Sequence, residues 1–119
     1  MAQKDALGRY GEAVAVRYLE RNGWVILDRN WRSVSGELDV IAEYRGVIAI
    51  CEVKTRRSTR FGTPLEAVTP TKLRRMRKLA GQWLAQHQSH ATTVRLDIIT
   101  VLVDDAGESQ IRHIEAVHE

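Results

Sequence analysis

The tightest constraint on how this chain can fold is a pair of apolar runs, Leu38 to Tyr44 and Val47 to Val53, separated only by Arg45-Gly46. Runs of this length, rich in branched side chains and joined by two residues, specify a β-hairpin. With Tyr44 facing Val47, counting outward sets Asp39 opposite Glu52 and Glu37 opposite Lys54. One face of the hairpin is then Leu38, Val40, Ala42 and Tyr44 against Val47, Ala49, Cys51 and Val53, suited throughout to burial. The other face carries Asp39, Glu52 and Lys54 around Ile41, Ile48 and Ile50. A three-residue loop with a left-handed Gly46 would slip the pairing and send the two acids to opposite faces, but the continuous apolar face favours the two-residue count.

Around the hairpin the apolar period changes. From Asp5 to Asn22, Leu7, Tyr10, Val14 and Tyr18 recur at helical spacing with Gly11 in the same stripe, and Gly23 is a natural stop. Trp24 to Leu27 is a short apolar run that ends in polar residues. Thr55 to Pro64 lacks periodicity and predicts a loop. A second helix follows, with Thr69 as cap, Pro70 at its first position, and a buried stripe of Leu73, Met76, Ala80, Trp83 and Leu84. Val94 to Val103 predicts a strand, Asp104 to Gly107 a turn, and Gln110 to Ile114 a last, weaker strand. The order α-β-β-β-α-β-β, within one domain over residues 1–119, predicts an α/β fold: a mixed central sheet flanked by helices.

Composition narrows the class. With 44% hydrophobic and 28% charged residues, the chain has the makings of one packed core and not of a disordered segment. No apolar run approaches the roughly 18 residues of a membrane span. The charged, amphipathic N-terminus lacks the apolar stretch of a secretory signal, so cytoplasmic residence is expected. The lone Cys51 lies inside an apolar strand, where a buried structural thiol is the expectation and a nucleophile is not. Between Lys54 and Lys78, nine basic residues face one acid, Glu66; that stretch carries +8 and the rest of the chain −5. Such a block is a footprint for polyanions, although a solvated helix face has the same composition. Oligomeric state is left open, a homodimer included.

Two carboxylates opposed across a sheet repel unless a cation lies between them. Asp39 and Glu52 are hard oxygen donors suited to magnesium or manganese, with the Val53 carbonyl as a further donor. Such an ion neutralises phosphate charge and acidifies bound water, as phosphodiester hydrolysis requires. Lys54, two residues beyond Glu52, shares its face and is placed to orient water or stabilise charge at phosphorus. Glu12 opens the otherwise apolar strip Glu12, Ala15, Val16 and Leu19 of the first helix, and a half-buried acid there needs a partner. Arg56, Arg57 and Arg60 follow the acid-bearing strand, and Lys72 and Arg75 lie on the second helix; these five are the candidate phosphate contacts. The competing reading is an exposed strand face in which Lys54 merely pairs with Glu37 or Glu52. Trp31 is a candidate for stacking on a base but fits a core position better. His87, His90, His113 and His118 share no ligand spacing.

Gly11-Glu12-Ala13, Tyr18-Leu19, Gly23-Trp24, Asn30-Trp31-Arg32, Gly36-Glu37-Leu38-Asp39-Val40-Ile41-Ala42, Glu52-Val53-Lys54 and Arg95-Leu96-Asp97 together resemble the YraN family of small bacterial proteins, predicted endonucleases. That family is similar in turn to archaeal-type Holliday junction resolvases and to the PD-(D/E)XK nuclease superfamily. The resemblance spans nearly the whole chain and implies a restriction-endonuclease-like core, a metal held by Asp39 and Glu52, Lys54 as catalytic lysine, and Glu12 as the counterpart of the resolvases' first-helix acid. Leu38 stands where the superfamily name has proline, and the acid after it is in place. The expected function is magnesium-dependent hydrolysis of nucleic acid, DNA foremost and branched DNA included. The alternative is a non-catalytic nucleic-acid-binding module that keeps the fold, and a third is an interaction domain whose basic block meets an acidic protein.

Overall fold

The computed structural model of the protein describes residues 5–57, 68–89, 91 and 93–117. Helix α1 (Ala6–Arg21) starts where the Asp5 carboxylate accepts the Gly8 N–H at 2.7 Å, satisfying one of the orphan donors of the first turn. It ends at Asn22; Gly23, at φ 90°, then turns the chain so that the Trp24 N–H reaches back to the Leu19 carbonyl. The helix buries Gly11, Glu12, Val14, Ala15, Val16 and Leu19. The buried arc is therefore centred on the strip that Glu12 begins. Tyr10, from the expected stripe, is exposed, because the tyrosines flank this arc with their hydroxyls at its rim: Tyr10 Oη meets Ser109 Oγ and Tyr18 Oη meets His113 Nδ1.

Five strands follow: β1 (Val25–Ser33), β2 (Gly36–Tyr44), β3 (Val47–Arg56), β4 (Thr93–Val103) and β5 (Ser109–Ile114), in spatial order β1-β2-β3-β4-β5. Helix α2 (Pro70–His87) connects β3 to β4. The order of elements is the one expected. All neighbours are antiparallel except β3 and β4, which run parallel, and a parallel pair needs a long crossover such as α2 provides. The β2–β3 hairpin closes through two residues, Arg45 at φ 49° and Gly46 at φ 80°; two positive values give the turn whose twist matches its strands. Its register runs from Tyr44↔Val47 to Val40↔Cys51 as anticipated.

Three expectations fail near the far end of this hairpin. The register stops at Val40↔Cys51, so neither Asp39 and Glu52 nor Glu37 and Lys54 are paired across the strands; Glu37 is paired with Arg32 of β1, with an Arg32 Nε to Glu37 Oε2 contact of 2.7 Å. Leu38 lies among the residues packed against α2, whereas Val40 lies with those against α1. The alternation of side chains therefore breaks between them, at Asp39. β1 also departs from regularity there: Asn30 has φ 53°, a left-handed conformation that asparagine tolerates better than most residues. β1 continues well past the apolar run Trp24 to Leu27, since an edge strand needs only one pairing side and accepts Asp28, Arg29 and Arg32.

The sheet has a core on each face. Val40, Ala42, Ala49, Cys51, Ile99 and Val101 pack against α1, and Leu38, Ile41, Ile48, Ile50, Leu96 and Ile98 against α2. α2 begins as predicted, with Thr69 Oγ1 accepting the Lys72 N–H and Pro70 in the first turn. It buries Leu73, Met76, Ala80 and Trp83 together with Leu79, each large side chain stabilising the fold by about 1.5–3 kcal/mol. No helix among the described residues is long and apolar enough to cross a membrane.

Candidate functional site

On β3, alternate residues from Ile48 and Ile50 continue along the α2 face as Glu52 and Lys54. The apolar half of the strand anchors it, and its carboxyl end, where parallel α/β sheets commonly receive ligands, presents the charges. Lys54 Nζ stands 3.2 Å from Glu52 Oε1. Across the hairpin Asp39, 7% exposed, turns its Oδ2 to accept the Val53 N–H at 2.9 Å. The carboxylate thus takes over a backbone donor where the regular ladder ends, which anchors it and accounts for the local break in alternation.

Asp39 and Glu52 together wall two clefts. The first, about 400 Å³, opens toward α1 and is lined by Asp5, Gly8, Glu12, Lys54, Arg56 and Arg57 among others. The second, about 270 Å³, opens toward α2 between Gly36, Glu37, Lys72, Arg75, Met76 and Leu79. Burial, and then the negative charge of Asp39, push the Glu52 carboxyl above its ordinary value. Burial works against the charged form of Lys54, yet the facing Glu52 carboxylate holds its ammonium above the ordinary value. Lys72, in the first turn of α2, is pushed down by its close approach to the Lys54 amine and then by burial. Two acids and two lysines therefore share one electrostatic site, contributed by β2, β3 and α2.

Glu12 lines the first cleft but is spoken for. It is 2% exposed, and its Oε1 accepts from Asn30 Nδ2 at 2.8 Å and from Arg29 Nε and Nη2 at 3.4 and 3.3 Å. The partner that a buried acid requires comes from β1, and the left-handed backbone of Asn30 belongs to that arrangement. Arg56 and Arg57 are exposed at the mouth of the same cleft. Lys72 and Arg75 border the second cleft beside Met76 and Leu79, flanking the buried stripe. Arg60 lies outside the described residues, as do His90 and His118. Trp31 packs at the α2 core with its Nε1 donating to Gln86 Oε1, as its core reading anticipates. Cys51 is buried, and burial pushes its thiol far above the ordinary range, the setting of a structural cysteine.

Among the described residues no three His, Cys, Asp or Glu side chains converge as a ready cluster for an ion. Asp39 and Glu52 nevertheless match what a hard divalent cation takes from protein when water and phosphate complete its shell: one or two carboxylates. The pressure against ionising Glu52 beside Asp39 is what a bound cation would relieve.

A second cluster grows from the Arg95-Leu96-Asp97 motif, to which the sequence assigned no role. Asp97 of β4 is fully buried; it accepts from Arg95 Nε at 3.0 Å, His113 Nε2 at 2.7 Å and the Ala116 N–H at 3.0 Å. His113 Nδ1 in turn meets Tyr18 Oη at 3.0 Å, and Arg95 reaches Glu115 at 3.1 Å. Arg95 and Asp97 stand two apart on one strand, a spacing that puts them on one face, but His113 and Tyr18 are brought in only by the fold.

The fold and site together define a mixed α/β protein in which an acid and lysine cluster caps the carboxyl end of a buried central strand. The chain belongs to the uncharacterised protein family UPF0102, whose model matches residues 11–101. It is 52% identical over 115 residues to a UPF0102 protein of Kineococcus radiotolerans, covering 96% of this chain and 94% of that one. It is 49% identical over 117 residues to a UPF0102 protein of Beutenbergia cavernae, covering 98% and 99%. The matched span includes Glu12, Asp39, Glu52, Lys54, Lys72 and Asp97.

Proposed function

We propose that the protein is a cytoplasmic, magnesium- or manganese-dependent nuclease of the YraN type, allied to the PD-(D/E)XK superfamily, that hydrolyses phosphodiester bonds in DNA, branched forms included. One observation carries the reading: two carboxylates, Asp39 and Glu52, both line each of two clefts edged by Lys54, Lys72, Arg56, Arg57 and Arg75. A structural ion pair needs Glu52 and Lys54 but not a second buried carboxylate that raises the cost of ionising the first. Asp39 and Glu52, with the Val53 carbonyl, would hold the metal, which supplies Lewis-acid polarisation of the phosphate and an acidified water. Asp39 is kept in place by the Val53 N–H. Lys54, held protonated by Glu52, presents a fixed positive charge where negative charge grows on the phosphoryl oxygens. Glu12 borders the same space and is oriented by Arg29 and Asn30.

Calorimetry with manganese should show binding by the wild type and a marked loss in Asp39→Ala; equal binding by both would remove the metal site from this pair. With magnesium or manganese on nicked, flapped and four-way DNA, Lys54→Ala should lower turnover about 100- to 1,000-fold while affinity changes little. A non-catalytic binding module predicts no cleavage at all and a modest loss of affinity on the same substitution.

A further inference from the structure

Lys72 and Arg75 occupy a different position from the other basic residues. Among the described cations of the +8 stretch, Arg74, Arg77 and Lys78 lie away from both clefts, but Lys72 and Arg75, on successive turns of one helix, line the cleft whose opposite side is Asp39 and Glu52. Lys72 is partly buried there, beside Lys54 and on the wall that faces Asp39 and Glu52. With Asp39 and Glu52 holding a cation, their charge would no longer neutralise Lys54 and Lys72, and a phosphate anion at the two lysines would take that place. On the far side of the same acids, Arg56 and Arg57 edge the other cleft. The acids thus stand at the junction of two channels, each ending in a pair of cations.

We infer that the first turns of α2 complete the reaction site: Lys72 joins Lys54 on the phosphate being cleaved, Arg75 holds the next phosphate of the same strand in the cleft beside α2, and Arg56 and Arg57 hold the strand in the cleft beside α1. The inference rests on the nuclease reading and assigns the path of its substrate. It makes Lys72 a catalytic residue, in contact with the reacting group, and Arg75 a positioning residue. One strand crosses the acids from cleft to cleft.

The test uses the full-length protein and defined DNA, single-stranded and four-way, with calcium for binding and magnesium for cleavage. Glutamine replaces each cation, since it keeps the helix and removes the charge; exposed Lys78, on α2 away from both clefts, is the control. In binding, Lys72→Gln and Arg75→Gln should each reduce the slope of log affinity against log salt by about 0.7 on single strands and about 0.9 on duplex, one phosphate contact apiece, and Lys78→Gln should not. In single-turnover cleavage at saturating protein, Lys72→Gln should fall about 100-fold and Arg75→Gln less than about 3-fold. Slopes for Lys72→Gln and Arg75→Gln that match the Lys78→Gln slope overturn the path whether or not the protein cleaves. Equal cleavage losses for Lys72→Gln and Arg75→Gln overturn the catalytic assignment of Lys72. A wild type that binds with these slope changes but cleaves nothing overturns the nuclease reading, and with it the catalytic role of Lys72, while supporting the path.

Discussion

Asp97 shows how one side chain can hold distant parts of this chain together. Burial disfavours its charge, yet hydrogen bonds from His113, Arg95 and the Ala116 N–H more than compensate and hold its carboxyl below the ordinary 3.8. Burial, and then the nearby acids Glu115 and Asp97, push the Tyr18 hydroxyl up, so it stays protonated and is placed to donate to His113. A carboxyl with a depressed folded value contributes stability that is present above its ordinary value and lost as pH falls through the folded one. Asp97→Asn should therefore cost about 3 kcal/mol near neutrality, as removal of one member of a buried ionic network does. The gap to wild type should shrink below pH 3.8. Denaturant unfolding across pH measures it; a gap unchanged down to about pH 2 would assign the loss to packing and not to charge.

At the level of elements, the decisive contact is between α1 and β3. A Cβ on Gly11 would lie 1.8 Å from Thr55 Oγ1 and 2.7 Å from Thr55 Cβ, so only glycine lets the helix approach this closely. Because Thr55 follows Lys54, the same contact sets the distance between the helix bearing Glu12 and the strand bearing Glu52. Gly11→Ala should destabilise by about 1–3 kcal/mol through overpacking, against the gain of about 1 kcal/mol that alanine offers within a helix. Gly11→Ala with Thr55→Ala should recover part of the loss. Thermal unfolding decides it: a Gly11→Ala protein more stable than wild type would mean that the helix shifts outward freely.

For the whole molecule, the site is a place where stability is surrendered. A carboxyl whose folded value is raised, as burial and Asp39 raise Glu52, stabilises the fold below its ordinary value of 4.5 and loses that contribution as pH rises through the folded one. Ionising Glu52 beside Asp39 therefore works against the fold as pH rises. Magnesium or manganese should accordingly raise the melting temperature of wild type, by about 2.7 kcal/mol of stability at one hundred times its dissociation constant. The rise should be absent in Asp39→Asn and should diminish as pH falls toward the ordinary carboxyl value of 4.5 and protons compete for Glu52. Scanning calorimetry over that range checks both; an equal rise in Asp39→Asn would place the ion elsewhere.

The sequence by itself determined whatever depends on near neighbours along the chain. The helix cap at Thr69, the Arg45-Gly46 turn, the register that follows from it as far as Val40 and Cys51, and the alternation that puts Glu52 and Lys54 on one face are all local consequences of spacing. Because the site is built mainly from one hairpin, Asp39, Glu52 and Lys54 are legible as a group from spacing alone. Only the tertiary structure decided the rest. The break in alternation at Asp39, with Leu38 in the opposite core, comes from a carboxylate bonding an amide fourteen positions away. Arg29 and Asn30 as the partners of Glu12 depend on a left-handed residue in an edge strand. The approach of Lys72 to Lys54 and Glu52, and of Tyr18 and His113 to Asp97, depends on how α2 and β5 return to the sheet. Spacing along a chain specifies faces and turns, because those follow from backbone geometry; contacts between elements follow from the packing of two cores at once, which no local pattern encodes.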